Sequence, residues 1–137
     1  MQDRAELREF FYTAWQKHQA NQPLDFLEQQ IVEVILAHPE YHAIFNQAEK
    51  YQTKSFMPEA GEINPFLHIS LHLGLLEQIS TDRPQGIKAI YTTLCHSMDK
   101  HAAEHKMMDC LAEVMWQAQR DNVLPDELEY LEKLQMI

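Results

Sequence analysis

Apolar residues recur every three to four positions in stretch after stretch of this 137-residue chain, and prolines punctuate the intervals between them. That period places side chains on one stripe of an α-helix, whereas a half-buried strand needs a period of two. Leu7, Phe10, Phe11, Ala14, Trp15 and His18 follow the helical template, which predicts a helix over residues 3–19 with an aromatic stripe. Asn21-Gln22-Pro23 then reads as a stop and restart, with a second helix to about residue 37 that turns Leu24, Leu27, Ile31, Val34 and Ile35 inward. Pro39 disfavours helical geometry at His38, so residues 38–42 are expected to kink or to start a short new helix.

Residues 46–63 lack an apolar period and contain Pro58 and Gly61, which predicts a long loop that packs as a lid or a crossover. Asn64-Pro65 is a helix start, an N-cap followed by proline at the first helical position, and the third helix runs to about 80. Gly74 inside it is expected to mark a close helix approach or a small kink. A fourth helix follows the cap Thr81-Asp82-Arg83-Pro84 and ends near 99, and a fifth runs from the cap Asp99 to about 120 with Met108, Met115 and Trp116 on its inner face. Pro125 opens a last helix with Leu128, Leu131 and Leu134 as its buried edge. The expected fold is all-α, one domain over 1–137, a bundle of five to six helices with a long loop between the second and third.

Three histidine pairs at i, i+4 are superposed on this pattern: His38/His42, His68/His72 and His101/His105. Residues four apart share a helix face, so each pair can present two imidazoles to one point. The pairs at 68/72 and 101/105 fall inside the apolar stripes of the third and fifth helices and are expected to face the core. Buried imidazoles need partners for both ring nitrogens, and a metal ion satisfies one per ring. His68, His72, His101 and His105 are therefore the primary candidate ligands, with His38 and His42 less secure beside the proline. Glu104 and Asp109 flank the fifth-helix histidines and can complete the set. Imidazole suits zinc, iron, copper or nickel, and zinc or iron is the expected ion.

Eleven Lys and Arg against 21 Asp and Glu leave a net charge of −10, with no basic cluster to neutralise phosphates. Nucleic acid and anionic membrane surfaces are thereby disfavoured as partners. No run of 18 apolar residues and no leader-like N-terminus are present, so a cytoplasmic protein is expected. Cys95 and Cys110 form no CxxC and read as reduced, buried, small apolar residues. HExxH, Glu-x-x-His, GxSxG, GxGxxG and phosphate-loop motifs are all absent.

The strings His38-Pro39-Glu40-Tyr41-His42, Asn64-Pro65-Phe66-Leu67-His68-Ile69-Ser70-Leu71-His72, Ser80-Thr81-Asp82-Arg83-Pro84 and Ala103-Glu104-His105-Lys106-Met107-Met108-Asp109-Cys110 together resemble the bacterial family known as domain of unknown function 1841. The resemblance spans nearly the whole chain and implies a small cytosolic bacterial protein, with no activity or ligand set attached. The histidine pattern also resembles that of hemerythrin-like two-iron bundles, whose ligands come from a lone His, HxxxE, HxxxH and HxxxxD. Only HxxxH is matched: His105 to Asp109 is one residue short of HxxxxD, and HxxxE does not occur.

Three functions compete at this level. The first is a metal-binding helical bundle acting as sensor, carrier or oxidoreductase. The second is a non-enzymatic acidic interaction module in which the histidines form a structural hydrogen-bond network. The third is a metal-dependent hydrolase with Glu104 as base. The sequence specifies no substrate, small molecule or protein partner, and leaves homo-oligomerisation open.

Overall fold

A computed structural model describes residues 4–56 and 64–137. Among the described residues there are eight α-helices and one 3-10 turn, and no strand. They are α1 (Arg4–Gln19), α2 (Phe26–Leu36), the 3-10 turn Pro39–Tyr41, α3 (His42–Phe45), α4 (Ala48–Tyr51), α5 (Pro65–Thr81), α6 (Ile87–Leu94), α7 (Lys100–Arg120) and α8 (Glu127–Gln135). The all-α expectation holds. The helix count exceeds the expected five to six because α3 and α4 are single turns, too short to register as an apolar period. The supposed loop over 46–63 thus contains α4, and the rest of the lid expectation falls on residues 57–63, outside those described. No helix among the described residues is long and apolar enough to cross a membrane.

Local chemistry explains the boundaries. Asp25 caps α2 through a reciprocal box: its side chain accepts from the Glu28 amide at 2.8 Å while Glu28 Oε1 accepts from the Asp25 amide at 3.0 Å. The start therefore lies at Phe26, three residues beyond Pro23. At α5, Asn64 Oδ1 accepts from the amides of Phe66 and Leu67, and at α7 Asp99 accepts from Ala102, both as expected. Between α5 and α6, Asp82 Oδ1 accepts from Gly86 and Lys88, and Gly86 takes φ +106°, a conformation that side chains rarely tolerate. This turn delays α6 to Ile87, and the helix stops at Leu94, short of the expected 99.

α1, α5 and α7 end alike. Asn21, Asp82 and Asn122 adopt φ near +50°, at 56°, 51° and 52°. The amide that follows each reaches back five residues, Gln22 to Lys17, Arg83 to Gln78 and Val123 to Ala118, to bond with carbonyls the helix cannot satisfy. Asn and Asp tolerate this left-handed geometry better than other side-chain-bearing residues. His38, before Pro39, has φ −124° and ψ 72°, outside the helical region, so the kink expected there is present.

The chain divides into two compact units, Met1–Ser70 and Leu71–Ile137. In the first, α1 packs on α2, and Tyr12, Phe45 and Phe66 pack ring against ring with centroids 5.5–5.9 Å apart. The Tyr12 hydroxyl donates to the Ile44 carbonyl at 2.9 Å. Arg8 is buried here, with its guanidinium carbon 4.3 Å from the Phe66 ring centre and Nη1 donating to the carbonyls that end α4.

In the second unit, Leu75, Ile79, Ile87, Met107, Leu111 and Leu134 belong to one buried cluster. Its α8 edge is Tyr130 and Leu134 with Leu131 half-buried, whereas Leu128 is 72% exposed; with the helix starting at Glu127, Leu128 lies in the first turn and off the packed face. Trp116 and Met115 are also exposed, at the edge of the α7 stripe, and Arg120 stacks over the Trp116 ring at 4.9 Å. Gly74 is exposed and an added Cβ would meet nothing within 4 Å, so no close approach among the described residues accounts for it. Cys95 and Cys110 are free thiols, half-buried where full burial was expected.

Candidate metal centre

In the first unit, the imidazole of His38 is fully buried at the end of α2. Its Nδ1 lies 2.7 Å from the Val34 carbonyl oxygen. A carbonyl only accepts, so Nδ1 carries the proton and Nε2 is left as the lone-pair nitrogen of the neutral ring. That Nε2 is 3.0 Å from Nε2 of half-buried His68 on α5, with the rings edge to face. His42 is turned elsewhere: its Nε2 donates to the Ile35 carbonyl at 3.0 Å and its ring packs 5.1 Å from Trp15. The spacing that suggested a 38/42 pair is broken by the 3-10 turn between them, and both rings serve the carbonyls that end α2.

α5 carries His68 and His72 one turn apart on the same face. In the second unit, His72 is 2% exposed and its Nε2 lies 2.6 Å from Oε1 of Glu104 on α7, itself 5% exposed. The other carboxylate oxygen accepts from the Tyr91 hydroxyl of α6 at 2.7 Å. Burial pushes the Glu104 carboxyl up, but the hydrogen bonds from His72 and Tyr91, with the charge of Lys100, outweigh it and hold the group below its ordinary value. Burial and then the Glu104 carboxylate push the Tyr91 phenol up, so it stays a donor. With an ionised acceptor at Nε2, the His72 proton sits there and its lone pair on Nδ1.

His105 is half-buried, its ring centroid 5.6 Å from that of His72, and each ring offers a nitrogen within 4.8 Å of the other's. His101 packs on His105 with centroids 4.0 Å apart but is exposed, as is Asp109 further along α7. The structure thus gathers His72, Glu104 and His105 in one unit and His38 and His68 in the other. It leaves Asp109 in solvent and commits His42 to backbone.

Two nitrogens on a tetrahedral zinc with Zn–N of about 2.0–2.1 Å stand about 3.3 Å apart. The His38 and His68 nitrogens are already near that separation, and the His72 and His105 nitrogens lie within 4.8 Å of each other. A ligating histidine characteristically donates its other N–H to a carboxylate or a backbone carbonyl. His72 does the first and His38 the second. Tyr91 lies on the apolar stripe of α6 with Ile87, Ile90 and Leu94, a position that does not single it out. A hydroxyl on a buried face needs a partner, and that requirement was the available signal.

Neither the curated proteins nor the solved structures compared with this chain provide a significant match. A family model does, over residues 3–136, and the chain belongs to that family, described as Domain of unknown function (DUF1841).

Proposed function

We propose that this protein binds transition-metal ions, zinc or iron, through paired imidazoles within each unit: His72 with His105, oriented by Glu104, in one, and His38 with His68 in the other. The observation that carries the reading is the 2.6 Å bond from His72 Nε2 to the buried Glu104 carboxylate. It pins the tautomer in which Nδ1 is the donor atom, the arrangement that raises the basicity of a ligating imidazole. The ligand set is nitrogen-rich with no thiolate, which favours borderline ions over soft ones and over calcium or magnesium.

Metal analysis of purified protein and thermal melting with added zinc or iron test this. Replacing His68, His72 or His105 with Ala should lower bound metal and remove the metal-dependent gain in melting temperature, because an ion stabilises only the state it binds. His96, exposed beyond α6, serves as the control and its replacement should leave both unchanged.

A second reading, an acidic interaction module with the histidines as a structural network, is supported by the His38–His68 contact. One proton donated from His68 Nε2 to His38 Nε2 satisfies it without an ion. A protein that carries less than about a tenth equivalent of any transition metal, and whose melting ignores zinc, iron, nickel and copper, supports that reading and ends the first.

A further inference from the structure

We infer that Tyr91 is a positioning residue for this metal centre: by donating to Glu104 Oε2 it locks the carboxylate so that Oε1 receives the His72 proton, and so makes Nδ1 the ligand nitrogen. The inference rests on the proposed metal binding and adds a residue to it from a third helix. The hydrogen bonds run in series, from the Tyr91 hydroxyl on α6 to Glu104 on α7 at 2.7 Å and from His72 on α5 to Glu104 at 2.6 Å. Tyr91 can play only the donor part toward Oε2, since an ionised carboxylate is acceptor-only.

Glu104 accepts from His72 on one oxygen and from Tyr91 on the other and is shielded from water, so its rotamer is set by those two donors. Remove the phenol and the carboxylate can turn, which frees the imidazole to place its proton on Nδ1 and loses the ligand nitrogen. Cys95, at the C-cap of α6, is also close to Tyr91 and is a weak donor that cannot replace the phenol.

The test uses the full-length chain and two readouts. Nitrogen-15 NMR of the metal-free protein should show His72 protonated on Nε2 and bare on Nδ1, with Tyr91→Phe shifting it toward mixed tautomers. Competition titration with zinc alone should show Tyr91→Phe binding more weakly, by up to the roughly 10- to 100-fold that loss of the ligand's own hydrogen-bond partner, Glu104, costs. In a Glu104→Ala background the same substitution should have no further effect, because the phenol acts through the carboxylate.

A wild-type His72 protonated on Nδ1 overturns the inference without any variant being made. So does zinc affinity unchanged by Tyr91→Phe, with metal binding itself intact. Failure of the wild type to bind zinc or iron instead overturns the proposed function on which the inference rests.

Discussion

The buried guanidinium of Arg8 packs 4.3 Å from the centre of the Phe66 ring while its Nη1 donates to the Lys54 carbonyl at 2.6 Å, tying α1 to the end of α4 and the start of α5. The Tyr51 and Gln52 carbonyls lie 3.3 and 3.2 Å from the same nitrogen, so one planar cation serves the carbonyls that a single-turn helix leaves open. Its flat face suits an aromatic ring and its positive charge suits a helix C-terminus.

Arg8→Ala should therefore destabilise the protein by about 2–4 kcal/mol, through a cavity beside Phe66 and the loss of donors for half-buried carbonyls. Arg8→Lys should recover only part, because an ammonium lacks both the plane and the fork. Urea unfolding of the two variants measures this, and equal stability of Lys and Arg at position 8 would contradict it.

Acid should weaken the first unit through Glu28. The Asp25 backbone amide, and then Lys17 at 2.8 Å, hold its carboxyl below the ordinary 4.5. A depressed folded value means that the stability it contributes is present above 4.5 and is lost as pH falls through the folded value. Glu28→Gln should flatten the pH dependence of the unfolding midpoint below about pH 4.5 and leave the neutral-pH end nearly level.

His101 and His105, one turn apart on α7, should behave differently. His105 is half-buried beside His72, whereas His101 is exposed. With zinc at about 100 times its Kd, wild type should gain about 2.7 kcal/mol of stability, and His105→Ala should abolish that gain while His101→Ala retains most of it. Calorimetric melting with and without zinc distinguishes the two, and equal losses would place His101 among the ligands.

Leu134 and Leu128 provide a packing contrast within α8. Leu134 is 1% exposed, and its replacement by Ala should cost about 2–5 kcal/mol. Leu128→Ala should stay within about 0.5 kcal/mol, as for other surface changes. The comparison checks that α8 docks by Tyr130 and Leu134.

Local chemistry was legible in the residues themselves. A run such as Ile87, Ile90, Tyr91 and Leu94 has one helical stripe whatever surrounds it. Asn64 before Pro65, and Asp99 before α7, satisfy backbone amides a few residues away, so those starts could be read in place. The histidine spacing likewise showed that His68 and His72 share a face, because that follows from 100° per residue.

Tertiary structure decided what each face meets. A helical wheel assigns direction and says nothing of the depth of the covering layer, so Leu128 and Trp116 lie on predicted inner faces and yet reach solvent. The same limit separates His105 from His101. His38 and His42 part company because Pro39 turns the chain between them and each imidazole then meets a different carbonyl of α2. Glu104 and Tyr91 are 13 residues apart, and His72 and Glu104 are 32 apart. Nothing periodic relates such positions: their bonds exist because three helices converge where a buried carboxylate needs two donors, and convergence is a property of packing.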